Sequence, residues 1–209
     1  MSVKLISVTP DSERIIMYCA RVSSPQNQDS NDPKLIRYCI KHGHHSILEM
    51  AHMTVEVTTS RAISAQILRH KSLSFQEFSQ RYQEVPGYVQ YTARRQDDKN
   101  RQNSIDDLSK EDQDWFTESL QNNNNRAIYL YKQALSRGIA KECARMFLPM
   151  NTETKLYISG NLRSWTHYLD VRCDASTQLE HREIANAIKE VFIEQFPIIA
   201  AAKGWTDEA

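Results

Sequence analysis

Two stretches of this chain alternate with the two-residue period of a β-strand and then run, without a linker, into a helix cap. In residues 52–59 (HMTVEVTT), Met53, Val55 and Val57 fall on one face and His52, Thr54, Glu56 and Thr58 on the other. Ser60 then stands where its hydroxyl can cap SRAISAQILRH, whose Ile63 and Ile67 lie at i, i+4. Residues 154–160 (TKLYISG) repeat the arrangement, with Asn161 as the cap of LRSWTHYLDVRCD and a stripe of Leu162, Trp165 and Leu169.

The remaining elements fit around these two junctions. Residues 3–8 (VKLISV) alternate weakly and suit a third strand; a helix follows from Asp11 or Ser12 to Ala20. Asp32-Pro33 opens a helix that runs through Ile40 and stops near Gly43. AKECARMFL reads as a helix stopped by Pro149. Thr177 and Glu180 have the spacing of a capping box for a last long helix with Ile184, Ile188, Val191 and Phe192 inward. The expected class is α+β, a mixed sheet flanked by helices in a single domain spanning residues 1–209. Residues 88–127 are rich in charge and poor in apolar anchors, which predicts an exposed excursion. Helical periodicity resumes with Ile128, Tyr131 and Leu135 and closes at Gly138.

Composition narrows the function. Twenty-six basic residues balance twenty-six acidic ones, whereas a dedicated nucleic-acid domain is usually basic. Five glycines leave no Gly-rich phosphate loop. Cys19, Cys39, Cys143 and Cys173 are scattered without CxxC spacing, in contexts typical of buried thiols, which points to a reducing, intracellular protein. The N-terminal residues lack the apolar run of a signal peptide, and no stretch is long and apolar enough for a membrane span.

The chemistry-bearing residues concentrate in RHKSLSFQEFSQRY, residues 69–82. Arg69, His70, Lys71 and Arg81, with Ser72, Ser74 and Ser79, have the cations and hydroxyls of a phosphate shell, and Leu73, Phe75 and Phe78 could anchor such a loop. Cations at the end of a helix also simply face its negative dipole. In KHGHHSILEM, His42, His44, His45 and Glu49, with His52 beyond, admit a metal site, a ligand-stacking ring or a polar helix end. Arg163, His167 and Asp170 share the face opposite the Leu162 stripe. Arg145, between Ala144 and Met146, needs an anionic partner if its neighbours are buried. No nucleophile has an adjacent base, so a cofactor is the better carrier of any chemistry. A phosphate-bearing ligand fits best. An RNA-binding protein using the 69–81 cations with ARRQDDKNR, and a metal-dependent hydrolase on the 42–52 histidines, remain open.

Residues 69–82 also resemble the signature RHRxxSxNExSxRY of the flavin-dependent thymidylate synthases. Arg69, His70, Ser74, Glu77, Ser79, Arg81 and Tyr82 match; Lys71 replaces an arginine and Gln76 an asparagine. ARVS (20–23), HGHxSxxE (42–49), CARMFLP (143–149) and NLRSWxHYLxxR (161–172) agree in order. The resemblance implies an enzyme that methylates deoxyuridylate (dUMP), with FAD as cofactor and NADPH and methylenetetrahydrofolate as co-substrates. It further implies a cytoplasmic homotetramer (in the host cytoplasm if the source is viral) with sites at subunit junctions, and neither a metal, a nucleic acid nor a membrane as partner. Ser46, Arg69, His70, Lys71, Glu77, Asn161, Arg163 and His167 would hold FAD, with His44 near its ring. Gln66, Arg69, Glu77, Phe78, Ser79, Gln80, Arg81, Arg145 and Arg172 would surround dUMP. Arg172 would polarise the uracil. At Lys71 a point-charge ammonium cannot copy a guanidinium fork, so the phosphate contact there should differ.

Overall fold

The computed structural model describes residues 1–206. Its sheet has four strands in the order β1 (Ser2–Val8), β2 (His52–Ser60), β6 (Glu153–Asn161), β3 (Ser74–Glu77). Every pairing is antiparallel, so the sheet is not mixed as expected. The reason lies in the two central strands: β2 and β6 pair along their whole lengths, His52 opposite Asn161 and Ser60 opposite Glu153. A two-residue hairpin, β4 (Arg95–Gln96) with β5 (Ser104–Ile105), stands apart.

Sequence alternation explains the layering. Met53, Val55, Val57, Leu156 and Ile158 are fully buried on one face. That face is covered by α3 (Arg61–Ile67), α6 (Leu162–Arg172) and α7 (Leu179–Gln195), with α8 (Pro197–Ala202) completing the core through Ile199. The indole N–H of Trp165 donates to the Met53 carbonyl at 2.9 Å, fixing α6 on β2. The other face carries polar pairs such as Tyr157 to Glu56 and Thr54 to Ser159. The weak alternation of β1 has a local cause: its register with β2 shifts between Leu5 and Ser7, which leaves Ile6 exposed.

Both strand-to-helix junctions form as the sequence requires. Ser60 accepts from the Ile63 N–H, and Asn161 accepts from the Ser164 N–H at 2.9 Å. Of the other expected caps, Asp32 does accept an N–H of the first turn, whereas those at Asp11 or Ser12 and at Thr177 do not form. Asp11 precedes α1 (Ser12–Ala20) in a left-handed conformation without a side-chain cap, and Ser12 donates instead to the Thr9 carbonyl. Asp32 accepts from Lys34 ahead of α2 (Lys34–Lys41). The Thr177–Glu180 box is absent because Thr177 donates to the Val171 carbonyl and Glu180 is taken by Arg94 and Gln178.

The 88–127 segment divides in two. From Lys110 onward it is α4 (Lys110–Ser136), a 27-residue helix capped by Ser109, so the expected restart at Ile128 lies mid-helix. Most of its first half is exposed, and only Gln113, Phe116 and Leu120 there are half-buried, too few to signal a stripe. Tyr131 and Ala134 pack on Ala144 in a separate small cluster. The helix expected over AKECARMFL is only α5 (Lys141–Ala144), followed by a 3-10 turn at Arg145–Phe147.

Gly160 marks a close approach that matters for the site. A Cβ there would run into Leu73, whose buried side chain holds the turn after α3 against the sheet. Gly160→Ala should therefore lower unfolding free energy by about 1–3 kcal/mol, since the buried Leu73 side chain must repack to make way. Urea unfolding of the variant measures this; an unchanged midpoint would contradict it.

Candidate active site

The turn that leaves α3 and the last turn of α6 meet at one corner. Arg172 donates from Nε to Nε2 of His70 at 2.7 Å. That bond requires an unprotonated Nε2. Burial, reinforced by the charge of Arg172, lowers the His70 pKa from 6.5 to about 4. The imidazole is thus a neutral acceptor that fixes the plane of a guanidinium. Tyr168, fully buried, lies edge-on to the His70 ring with centroids 4.8 Å apart.

Behind this corner runs a polar chain whose members are buried (Tyr168, His181 and Glu180) or half-buried (Gln66, Gln178 and Arg94). Tyr168 Oη and His181 Nε2 are 3.0 Å apart, and His181 Nδ1 is 3.3 Å from Oε1 of Gln66. Gln66 Nε2 donates to Gln178 Oε1 at 2.6 Å, and Gln178 Nε2 to Glu180 Oε2 at 2.9 Å. Arg94 closes the chain on Glu180 Oε1 at 2.6 Å. Burial, with the charges of Arg172 and His70, pushes the His181 pKa down to about 3.

These two histidines make stability depend on pH with a defined sign. Their folded pKa values lie below the unfolded value near 6.5, so between those limits the unfolded chain binds more protons than the native one. Stability is fully present above the unfolded pKa. It falls on acidification, down to about 4 for His70 and about 3 for His181. Each should contribute a slope of up to roughly 1.4 kcal/mol per pH unit in its window. His181→Gln should flatten urea-unfolding stability between pH values of about 6 and 4; an unaltered slope would refute the assignment.

A second region is a cleft of about 550 Å³ at the start of α6. Its walls include Asn161, Arg163 and His167, together with His45, Ser72 and Lys203. Arg163 is held from one side by Glu49 at 2.6 Å, and Lys203 by Asp170 at 2.6 Å. Its volume falls within the roughly 300–1,000 Å³ of small-molecule sites, and because Glu49 and Asp170 also line it, each of its two cations already has a carboxylate partner.

The family model for Thy1, thymidylate synthase complementing protein, matches residues 4–198. The chain belongs to the Thy1 family. It is 51% identical to a flavin-dependent thymidylate synthase of Synechocystis, over 98% of this chain and all of that one. It is 49% identical to a probable flavin-dependent thymidylate synthase of Paramecium bursaria Chlorella virus 1, with the same coverage. The UMP/dUMP methylase PolB from Streptomyces cacaoi, solved with 5-Br dUMP, superposes with a TM-score of 0.86 at 26% identity, covering 96% of this chain and 93% of that one.

In this Thy1 chain the signature segment is not a single loop. Ser74–Glu77 is the edge strand β3, which separates the RHK turn from the SQR turn by roughly 10 Å of extended backbone. Arg69 and Lys71 are exposed at the first turn. Phe75 packs against the core and Phe78, half-buried, is tied through its N–H to the Lys155 carbonyl. Glu77 turns inward, where Arg61, Ser64 and Thr154 bind its carboxylate. At the second turn Arg81 pairs with Glu142 at 3.1 Å, and Ser79 Oγ accepts from the Arg81 N–H. Gln80 is half-buried beside them.

The residues expected around the nucleotide fall into two groups. Gln66 and Arg172 belong to the His70 corner; Arg81 and Arg145 both reach Glu142. Among the described residues no hydrogen bond or ion pair joins these groups. Arg145 bonds the Glu142 carbonyl instead of a buried anion, because its neighbours Cys143, Met146 and Phe147 are exposed. The exposed Cys143 also departs from the expected buried thiol.

Each competing reading loses part of its residue set. In ARRQDDKNR, Arg94 is engaged by Glu180 and Arg95 by Asp107 at 2.7 Å. His42 stacks on Tyr38 with centroids 4.1 Å apart and bonds its carbonyl, His44 meets Tyr38 edgewise, and Ser46 is exposed nearby. Among the described residues no three histidine, cysteine or acidic side chains gather as a metal site, and no helix is long and apolar enough to cross a membrane. Sequence reasoning singled out neither His181 nor Lys203. His181 lies beside Glu180 in a helix whose stripe alone was legible, and Lys203 reaches its cleft from the far end of the chain.

Proposed function

We propose that this chain methylates dUMP reductively to thymidylate in the cytoplasm, as a homotetramer with active sites at subunit junctions. FAD would be its cofactor, and methylenetetrahydrofolate and NADPH its co-substrates. The observation that carries the reading is the Arg172 guanidinium, oriented by a neutral His70 at 2.7 Å. A cation held at one edge of a uracil stabilises the negative charge that must build up when the ring becomes nucleophilic at carbon, and its fixed orientation avoids reorganisation during the reaction. His70 can serve this purpose only while neutral, which its lowered pKa secures.

The cleft at α6 would take an anionic cofactor such as FAD once a phosphate replaces Glu49 as the partner of the exposed Arg163, and Ser72, Asn161 and His167 would add polar contacts. Arg69, His70 and Lys71 would contact FAD from the first turn, with Ser46 and His44 contributing from the 42–49 segment. Bound there and reduced by NADPH, FAD would supply the hydride, which fits a chain in which no nucleophile has an adjacent base. Arg81, Arg145, Ser79, Gln80 and Phe78 would approach the nucleotide from another subunit. The division of the candidate residues into two unconnected groups supports that arrangement. The Arg81–Glu142 pair is exposed, so exchanging Glu142 for a phosphate costs little.

The test is direct. The purified protein should show a flavin band at about 450 nm or acquire one on adding FAD. It should convert dUMP to thymidylate only when NADPH and methylenetetrahydrofolate are both supplied, and elute as a tetramer. A colourless protein that FAD does not reconstitute and that leaves dUMP unchanged would overturn the proposal.

A further inference from the structure

The chain from Tyr168 to Arg94 has only one self-consistent direction. Glu180, 4% exposed and paired with Arg94, offers its carboxylate as an acceptor. Gln178 must therefore turn its NH2 toward Glu180, which leaves its oxygen for Gln66. Gln66 must in turn present its NH2 to Gln178 and its oxygen to His181. His181 then carries its proton on Nδ1, and its bare Nε2 accepts from the Tyr168 hydroxyl. Neither amide can reverse alone without setting two donors or two acceptors against each other. The orientation is thus imposed by one ion pair at the end of the chain, and that pair also ties the 88–109 segment to α7, since Arg94 donates to Ser104 as well.

We propose that Glu180 and Arg94 are positioning residues for the nucleotide site: through Gln178 they fix which way round the Gln66 carboxamide faces, and through His181 and Tyr168 they brace the His70–Arg172 corner. The proposal rests on the reading of Gln66 and Arg172 as dUMP contacts. It goes further by assigning roles to Arg94, Gln178, Glu180 and His181, none of which lies in a signature motif. It also gives the 88–109 segment a task, because ligand affinity should depend on where that segment holds Arg94.

The paired variant Arg94→Gln/Glu180→Gln tests this while leaving no unpaired buried charge. A glutamine at 180 can donate or accept, so the chain loses its imposed direction. Two readouts on the FAD-reconstituted protein decide the matter. Imidazole nitrogen shifts should place His181 in the Nδ1–H tautomer in the unmodified protein and in a mixture of tautomers in the variant. Calorimetric titration with dUMP should show affinity weakened about tenfold or more, with thermal unfolding still cooperative. A variant that keeps the Nδ1–H tautomer, or that binds dUMP as tightly as the unmodified protein, overturns the proposal. If the unmodified protein does not bind dUMP at all, the functional reading fails, and with it the link to the nucleotide; the tautomer comparison still decides whether the ion pair orients Gln66. Should the paired variant fail to fold, Gln178→Leu, which interrupts the chain but leaves the ion pair, must show the same loss of dUMP affinity.

Discussion

Replacing Arg172 with alanine should lower thymidylate formation by about a thousandfold or more while leaving most FAD binding in place. The size follows from where the guanidinium sits. It is half-buried at the end of α6 and held by His70 at 2.7 Å, so it meets a ligand already oriented and partly stripped of water. A charge in that setting stabilises developing negative charge more than the same charge in bulk solvent. Arg172→Lys should recover little, because an ammonium has no planar fork with which to bond His70 on one edge and present a fixed second edge to the ligand. Alanine should also move the His70 pKa upward from about 4, since the neighbouring cation contributes to its depression, though burial keeps it below the ordinary value. Turnover near the unmodified rate would remove Arg172 from its assigned role, and an unmoved His70 pKa would remove the coupling between the two side chains.

How far the sequence disclosed this arrangement can be traced residue by residue. Strands β2 and β6 were legible because their alternation is one-sided: Met53, Val55 and Val57 could only point into a core. The caps at Ser60 and Asn161 were legible because each follows its strand without a spacer. The Thr177–Glu180 box failed because spacing cannot reveal a stronger claimant, and Arg94, from a distant segment, takes Glu180 into a buried ion pair. Likewise α4 escaped notice because its first half packs on little, so its helicity comes from Ser109 and backbone hydrogen bonds and leaves no apolar stripe. At the site, the motif resemblance singled out His70, Arg163 and Arg172 as ligand contacts, but spacing cannot express a contact between residues as far apart as His70 and Arg172. The polar chain through His181 was invisible for the same reason: each of its members is an unremarkable polar residue until the fold removes water around it.

Glu77 is where motif and packing make different predictions, and alanine separates them. The motif assigns Glu77 to ligand binding, whereas its carboxylate, 16% exposed, is surrounded by Arg61 and by the buried hydroxyls of Ser64 and Thr154. Removing it leaves a cation facing no partner and two interior hydroxyls without their acceptor. Unfolding free energy should therefore fall by about 3–4 kcal/mol in the ligand-free protein. For a domain of this size the melting temperature should drop by roughly 6–16 °C. Glu77→Gln keeps one acceptor oxygen for the hydroxyls but not the charge, and should lose about half as much. Ligands sharpen the comparison. If Glu77 acts mainly by holding β3 to α3, saturating FAD or dUMP raises the melting temperatures of variant and unmodified protein alike and the gap between them persists. If it acts mainly as a ligand contact, the ligand-free proteins melt together and a gap opens only on binding. The inward geometry favours the first outcome, in which the one acidic residue of the signature sets the spacing between its two cationic turns.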